Sequence, residues 1–167
     1  VQGLQAGDQN KRIVMVGDFN AFQFNDGLVD VMGIISGTAS TNDSDTILPG
    51  DGGSEIVTTP LMNLMDLKPA GERYSYSFDG NAQVLDQALV NQATFDAFSL
   101  DVDHPRINSD FPVSDFGDYS AGSVTRISDH DPVVVYLATP AFLSADLEAA
   151  ASATPTTTTV GTLVTFN

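Results

Sequence analysis

The apolar and polar positions along the chain predict a domain built mainly from strands. Two continuous apolar runs, at 13–16 and 133–137, have the pattern of strands that are buried on both faces. Residues 74–78 alternate aromatic and small polar side chains, which is the period of a strand. Residues 84–90 and 95–102 add two shorter segments of the same kind, joined by a tight link. We therefore expect sheet through most of this region.

The same pattern predicts only short helices. The first lies between Ala21 and Met32, is capped by Asn25-Asp26 and ends at Gly33. The second covers 60–66, where the apolar spacing is mixed and a proline precedes it. Neither segment supports a longer helix, so we do not expect a helical bundle.

The chain is predicted to hold one domain over 1–138 and a linker with the start of another over 139–167. Two long loops, at 36–54 and 103–123, are rich in Ser, Asp, Gly and Pro. The tail ends in a single apolar strand, which cannot satisfy its own backbone hydrogen bonds, so we expect the natural polypeptide to continue. Its Ala145-Asp146-Leu147 segment is similar to the opening of immunoglobulin-like repeats of bacterial surface proteins.

Composition and charge narrow the range of functions. With 42% hydrophobic residues in 167, the chain can bury one core. Its formal net charge of −16 excludes a large non-specific phosphate-binding surface, so any nucleic acid must be held locally. There is no Cys, which excludes disulfides, thiolate metal sites and a cysteine nucleophile. No apolar run approaches the roughly 18 residues of a membrane span, so no membrane partner is expected.

The acidic residues are nearly all Asp, with Glu only at positions 55, 72 and 148. Asp is a poor residue for helix interiors but a good residue for turns, caps and the binding of hard cations. The simplest interpretation of this charge is solubility in salty or extracellular surroundings. It favours a secreted or cell-surface protein.

The first candidate site is Gly17-Asp18-Phe19-Asn20, which stands where the first strand ends. Ligand sites in open α/β sheets collect at such ends. Asp18 can take a proton from a water molecule or hold a hard cation, and the Asn20 amide can donate a hydrogen bond to a phosphate oxygen. The alternative is an ordinary turn, since Asp and Asn both favour turns.

The second candidate site is Ser128-Asp129-His130-Asp131-Pro132, directly before the last apolar run. His130 can act as a general base or hydrogen-bond donor, and Asp129 can hold a divalent metal through oxygen. A third candidate, Asp86, lies among apolar neighbours, and a buried carboxylate needs a partner such as a cationic His. Asp86 is otherwise a strand-end cap or a solvent-facing strand position.

Four ordered motifs give the chain a more specific resemblance. It resembles the endonuclease/exonuclease/phosphatase superfamily, and most of all the secreted bacterial extracellular nucleases, over 12–137. The motifs are Gly17-Asp18-Phe19-Asn20-Ala21, Tyr74-Ser75-Tyr76-Ser77-Phe78-Asp79-Gly80, Leu85-Asp86-Gln87-Ala88-Leu89 and Ser128-Asp129-His130-Asp131-Pro132-Val133.

The resemblance implies a role for each residue of these motifs that carries chemistry. Asp18 would deprotonate or orient the attacking water and also contact the metal, while Asn20 would bind the scissile phosphate. His130 would stabilise charge on the phosphate, with Asp86 accepting a hydrogen bond from its imidazole. Asp129 would belong to a metal site for Mg²⁺, or for Mn²⁺ or Ca²⁺.

Further residues are expected on the substrate side of this site. His104 and Asn108 resemble polar positions of a family loop, with Asp110 nearby. Arg106 and Arg126 are candidates for local contacts with the phosphate. For both arginines the alternative is a solvated surface position.

The resemblance also implies an α/β fold: a two-sheet sandwich with helices outside, of which this chain carries the carboxyl-terminal half as mostly one mixed sheet. The family's amino-terminal half supplies an Asn and a Glu metal ligand, and no Glu precedes Gly17 here. We therefore expect the chain alone to be a weak or inactive enzyme. Its expected partners are the missing half or a second copy of itself, besides the nucleic acid substrate.

Three functions are compatible with the sequence. The leading one is metal-dependent hydrolysis of phosphodiesters in DNA or RNA. The second keeps the site but acts on a phospholipid headgroup or a sugar phosphate, since fold and site chemistry are shared across the family. The third is a non-enzymatic acidic surface module that binds calcium through its Asp residues.

Overall fold

The computed structural model describes residues 1–24, 28–39, 57–115 and 126–139. These residues form short helices and strands joined by long irregular segments. In chain order the elements are α1 Gln2–Gly7, β1 Val14–Asp18, α2 Val31–Ser36, β2 Leu61–Asn63, β3 Tyr76–Phe78, β4 Asn81–Gln83, β5 Asp86–Asn91, α3 Gln92–Ala97, β6 Ser99–Asp103 and β7 Val134–Ala138.

The described strands form three small antiparallel sheets. The central sheet has the order β1-β5-β2, while β3 pairs with β4 and β6 pairs with β7. The prediction of a mixed α/β fold with short helices and long loops is confirmed. The prediction of mostly one mixed sheet is wrong, because each of these pairings is antiparallel and the sheets are separate.

The central sheet has a core on each face. On one face, Ala88 and Val90 of β5 pack with Leu64 and Met65 of the turn after β2 and with Val102 of β6. On the other face, a second set packs beneath α2: Leu89, Leu61, Met32 and Ala21, with Met15, Phe19 and Ile35 beside them. β5 is buried along its whole length because it is the middle strand of the sheet.

β1 is less buried than its sequence predicts. Val14 and Val16 lie on the same face of the strand and are exposed, Val16 at 53% of its surface. The run 13–16 is therefore not buried on both faces, because the core that covers Ala88 and Val90 on this face does not extend over β1. β7 differs from its prediction in the same way, since Tyr136 and Leu137 are exposed.

The first predicted helix lies later in the chain than expected. α2 is capped by Asp30, whose Oδ1 accepts a hydrogen bond from the backbone N of Gly33 at 3.0 Å. Position 33 lies inside the helix and requires glycine, because a β-carbon there would collide with the Asp30 carboxylate. The helix ends at Gly37, which has the left-handed φ of +79° that glycine adopts without strain. The expected cap at Asn25-Asp26 lies outside the described residues.

Two other assignments are corrected by the structure. Residues 60–66 form strand β2 and then a 3₁₀ turn over Leu64–Leu67, in place of a helix. Residues 95–102 begin inside α3, where the Asn91 side chain accepts a hydrogen bond from Thr94 N, and only then enter β6. Pairing with β5 overrides the local pattern at β2, whereas at α3 the Asn91 cap begins a helix ahead of the strand.

Other predicted elements are found. The strand at 74–78 appears as β3, the segment 84–90 as β5, and the run 133–137 as β7. The described parts of the predicted loops, 37–39 and 104–115, hold only a 3₁₀ turn at Val113–Asp115. The tail 140–167 and its expected second domain lie outside the described residues. No helix in the described ranges has the length and apolar character to cross a bilayer.

Candidate active site

The candidate site is built at one end of the central sheet. Asp18 is the last residue of β1 and Asp86 is the first residue of β5, and the two are direct partners in the antiparallel register. Because directly paired residues lie on the same face of a sheet, both carboxylates stand together. Asp18 is exposed, whereas Asp86 is buried.

His130 completes this group. Its Nδ1 lies 2.7 Å from Oδ2 of Asp86. Since a carboxylate accepts hydrogen bonds, Nδ1 carries the proton, and Nε2 is the ring nitrogen left for a substrate. One ligand atom from each of Asp18, Asp86 and His130 lies within 4.8 Å of the other two. The structure therefore brings these three predicted residues together.

The imidazole of His130 is held in place by its neighbours. The ring of Tyr76 lies against it with 4.7 Å between ring centroids, and the backbones of Tyr76 and His130 form an isolated bridge. The side chain of Asn108 donates a hydrogen bond to the backbone O of His130 at 2.7 Å. The exposed ring of Phe78 stacks on the ring of Tyr76, with 6.4 Å between the ring centroids.

Asp86 is fixed by contacts on its backbone as well as on its side chain. The hydroxyl of the buried Ser75 accepts hydrogen bonds from the backbone N of Asp86 at 3.1 Å and of Leu85 at 3.2 Å. The backbone O of Asp86 accepts a hydrogen bond from Nε2 of His104 at 2.9 Å. The carboxylate that faces His130 is thus preorganised by two other segments of the chain.

His104 is buried in this arrangement. Burial lowers the pKa of His104 below its ordinary value of 6.5, although the hydrogen bond to Asp86 acts in the opposite direction. A neutral imidazole with the proton on Nε2 satisfies the Asp86 carbonyl. His104 therefore positions Asp86, and its predicted contact with substrate stays a prediction.

Asp131 holds the segment before β7 to the loop after β6. It is 1% exposed, and its Oδ1 accepts hydrogen bonds from the backbone N of Ile107, Asn108 and Ser109, at 3.1, 2.7 and 3.2 Å. Its Oδ2 accepts the Ser109 hydroxyl, and the Arg106 guanidinium lies 3.7 Å away. A carboxylate that gathers several N–H groups is a strong structural contact.

Arg126 and Asn108 join the same network. Arg126 is 2% exposed, and its guanidinium donates to the backbone O of Ser128, Phe111 and Asp129, at 3.1, 2.9 and 3.1 Å. The side-chain O of Asn108 accepts hydrogen bonds from Ile127 N and Ser128 N. Both residues shape the loop that carries His130, and their predicted substrate contacts stay predictions.

The side chain of Arg106 is also held by contacts within the protein. It donates to the backbone O of Tyr74, His104 and Glu72, and its guanidinium lies over the Tyr74 ring at 3.7 Å from the centroid. The Tyr74 hydroxyl donates to the Asp110 carboxylate at 2.7 Å, and that hydrogen bond is the main cause of the raised pKa of Tyr74. This cluster braces the loop next to the candidate site.

Asn20 and Asp129 lie at the edge of the site and are exposed. The backbone N of Asn20 donates to Oδ1 of Asp18 at 2.8 Å, and Asn20 has a left-handed φ of +49°, which Asn tolerates better than most residues. Asp129 immediately precedes His130, but it is not in the group formed by Asp18, Asp86 and His130. Its predicted part in a metal site is therefore not supported by that group and stays a prediction.

The donor set of the group fits a small divalent cation. Two carboxylates supply the oxygen ligands that Mg²⁺ and Mn²⁺ prefer, and an imidazole is compatible with Mn²⁺. Since Nδ1 of His130 faces Asp86, the carboxylates of Asp18 and Asp86 are the groups that could hold a cation, with His130 beside them.

Sequence reasoning found the three central residues but missed their supports. Ser75, Tyr76 and Asp131 all lie inside the quoted motifs, yet their part in holding the site depends on contacts between distant segments. The sequence offers one signal, the run of three ionisable residues before Pro132, but that run does not show which of them is buried. Comparison of the chain with known protein families, curated proteins and solved structures finds no match.

Proposed function

We propose that this chain hydrolyses phosphodiesters in nucleic acid with the help of a divalent cation. The observation that carries the proposal is the Asp86–His130 hydrogen bond of 2.7 Å with the Asp18 carboxylate beside it. A carboxylate that orients an imidazole next to a second, exposed carboxylate provides both a charge-stabilising group and a base.

In the proposed reaction, the oxygen of a water molecule forms a bond to phosphorus and the bond to the leaving alcohol breaks. The proton of the water passes to the carboxylate of Asp18, which is exposed and can meet it. In this proposal His130 carries a proton on both ring nitrogens: Nε2 donates a hydrogen bond to a phosphoryl oxygen as charge develops there, and Asp86 accepts the hydrogen bond from Nδ1 and stabilises the imidazolium. The leaving oxygen takes a proton from solvent.

The cation supplies Lewis acidity and neutralises phosphate charge. It also answers the difficulty raised by the acidic composition, because a protein with a net charge of −16 repels a polyanion unless positive charge is provided locally. Asp18 and Asp86 would hold the cation. The backbone N of Asn20 donates to Asp18, and we expect the Asn20 side-chain amide to bind a phosphate oxygen.

The finer fold assignment is part of the same proposal. We infer that the chain is one half of a two-sheet α/β sandwich from a secreted nuclease. The exposed Val14 and Val16 on β1 support this inference, since a second sheet would cover them. The resemblance includes a Glu metal ligand before Gly17 that this chain does not carry, so we expect a low rate of hydrolysis.

Cleavage of a fluorescent single-stranded DNA, a matching RNA and bis(p-nitrophenyl) phosphate by the chain, with Mg²⁺ or Mn²⁺, tests the proposal. We expect cation-dependent hydrolysis that falls about 100-fold or more in Asp18→Asn, Asp86→Asn and His130→Gln. Asp103→Asn is the matched control, because Asp103 contacts only Lys68 of the described bases, at 3.7 Å, and lies outside the site.

Equal rates in the parent and the three site variants, or a rate that does not respond to the cation, would overturn the proposal. If the chain hydrolyses a phospholipid headgroup or a sugar phosphate but not the nucleic acids, the proposed site is supported and the proposed substrate class is wrong. Circular dichroism of each variant shows whether a lost rate reflects chemistry or folding.

A further inference from the structure

The rings of Tyr76 and Phe78 form a stack that begins at the candidate active site. The two residues stand two positions apart on β3, so their side chains lie on the same face of the strand. Their rings are nearly parallel, with 9° between the planes and 6.4 Å between the centroids. The Tyr76 ring in turn lies 4.7 Å from the His130 imidazole. Phe78 is therefore one ring removed from the imidazole that we place at the phosphate.

The Phe78 ring has room for a further planar group. It remains 56% exposed although it stacks on Tyr76. The turn of the β3–β4 hairpin fixes its position, since Asp79 and Gly80 both have a left-handed φ, of +48° and +80°, as in the tight turns that join two strands directly. A single exposed aromatic ring is common, but this one is held in place and continues a stack from the site.

Polar side chains stand beside the aromatic stack. Asn81 is the direct partner of Phe78 across the β3–β4 hairpin, and Gln83 is the direct partner of Tyr76. Directly paired residues share one face of a sheet, so the amide groups lie on the same face as the rings. Asn81 is exposed, and its amide both donates and accepts hydrogen bonds. A flat ring with an amide beside it provides the two kinds of contact that proteins use for unpaired bases.

The basic side chains leave little positive charge for the rest of a nucleic acid strand. The sequence holds six of them, and all six lie in the described ranges. Four are held by contacts within the protein, namely Lys68, Arg73, Arg106 and Arg126. Lys11 and Arg12 precede β1 and so lie at the end of that strand opposite to Asp18. Stacking is therefore the stronger contact on offer to the nucleotides next to the reacting phosphate.

We propose that Phe78 stacks on an unpaired nucleobase next to the phosphodiester that reacts, and that this contact makes single strands the preferred substrate class. The inference rests on the proposed hydrolysis of phosphodiesters in nucleic acid. In a duplex each base is paired and stacked on its neighbours, so its face is closed to Phe78 unless the base is first extruded. Every base has a flat face, so this contact selects unpaired bases without selecting a sequence.

Fluorescence anisotropy of labelled six-nucleotide single strands, one of DNA and one of RNA, tests the proposal with Mg²⁺ present. The measurement is made in the cold, and each probe is checked on a gel afterwards to show that it is intact. Phe78→Leu keeps an apolar side chain against Tyr76 but removes the ring, and it should weaken binding of at least one strand about ten-fold or more. Phe78→Trp should bind at least as tightly as the parent.

Phe95→Leu is the matched control. Phe95 is also a partly exposed phenylalanine, but it lies on α3, which follows the end of β5 opposite to Asp86. Its variant should bind the strands as the parent does. The same change at the two positions therefore separates loss of the stack from loss of any exposed ring.

A strand whose bases are replaced by abasic sugars completes the test. The parent should bind it as weakly as Phe78→Leu binds the normal strand, and Phe78→Leu should lose little more on the abasic strand. The comparison of normal and abasic strands on the parent also keeps the test decisive if Phe78→Leu fails to fold. A duplex of the same sequence should bind the parent more weakly than the single strand.

Three results would overturn the proposal: equal binding by the parent and a folded Phe78→Leu, equal binding of normal and abasic strands by the parent, or binding of the duplex as tight as that of the single strand. Hydrolysis measured on the same samples separates this inference from the proposed function. Binding through Phe78 without cleavage would contradict the proposed function alone. Cleavage with binding that does not depend on Phe78 would contradict this inference alone.

Discussion

Asp18 and Asp86 lie directly opposite each other across β1 and β5, so two carboxylates share one end of the sheet. Like charges in this position destabilise a strand pair by a few tenths of a kcal/mol, and a bound cation relieves the repulsion. We expect millimolar Mn²⁺ or Mg²⁺ to raise the melting temperature of the parent chain. Asp18→Asn should be slightly more stable without cation and should lose the increase.

Calorimetry of the parent, Asp18→Asn and Asp103→Asn measures this effect. Asp103→Asn makes the same side-chain change away from the site, where Asp103 and Asp101 contact Lys68, so its response to cation should match that of the parent. If the melting temperature of Asp18→Asn rose with cation as much as that of the parent, the cation would not be bound by the Asp18–Asp86 pair. That result would contradict the prediction.

Tyr76 is expected to control activity through the position of His130. Its ring packs on the imidazole at 4.7 Å between centroids. Tyr76→Ala should lower kcat about ten-fold or more by loosening the imidazole, since misplacement of a reacting group by about 1 Å can cost 10²-fold. Tyr76→Phe keeps the ring and should retain most of the rate.

Steady-state kinetics of Tyr76→Ala and Tyr76→Phe, with the His130 ring signals followed by NMR, measure this effect. The rate and the His130 chemical shifts should change together. A Tyr76→Ala chain with the parent's rate would show that the packing does not position the imidazole.

Asp131 should matter far more for stability than its exposed neighbour Asp129. Asp131→Ala leaves three backbone N–H groups and the Ser109 hydroxyl without their acceptor, which should cost about 3 kcal/mol of unfolding free energy. Asp129→Ala makes the same chemical change at an exposed position and should cost less than about 0.5 kcal/mol. Urea unfolding of the two variants tests the difference, and similar losses would contradict it.

The sequence supports the position of the site better than it supports the fold. Asp18 and His130 stand beside apolar runs and Asp86 lies among apolar neighbours, and the resemblance implies that the three share one site. The inward turn of Asp131 could not be predicted, because it depends on a loop more than twenty residues earlier in the chain folding back to offer its N–H groups.

The predictions of the two helices were wrong for a related reason. Asn25-Asp26 and Asp30 are all good caps, and local preference does not choose between them. The segment at 60–66 has apolar residues that suit either a helix or a strand, and pairing of Leu61–Asn63 with β5 decides in favour of the strand. Whether a valine of β1 is buried likewise depends on sheet order, which the local sequence does not contain.

Arg126 is expected to act on folding as well as on any phosphate. Its buried guanidinium donates hydrogen bonds to three backbone carbonyls. The ammonium group of a lysine cannot reproduce this planar arrangement of donors. Arg126→Lys should therefore lower the unfolding free energy by about 2 kcal/mol, with a loss of kcat that follows the disturbed His130 loop. Unfolding curves and kinetics on the same samples measure both quantities. A raised KM with unchanged stability would instead favour a direct contact with substrate.

His104 gives the chain a predictable dependence of stability on pH. Its pKa is lowered in the folded state by burial, so the folded protein keeps the imidazole neutral while the unfolded chain protonates near 6.5. The stability contributed by the neutral ring is complete above pH 6.5 and is lost as the pH falls through that value toward the lowered pKa. Asp86, Arg106 and Asp131 are the charged groups that face it.

His104→Gln retains an N–H donor for the Asp86 carbonyl and removes the titration. We expect its unfolding free energy to fall less steeply than that of the parent below pH 6.5, because the unfolded state of the variant gains no proton at this position. Urea unfolding across the pH range measures both slopes, and the His104 ring signal followed by NMR gives the folded-state pKa directly. Parallel curves for the two chains, or a ring that titrates at its ordinary value, would show that the buried imidazole is not the group responsible.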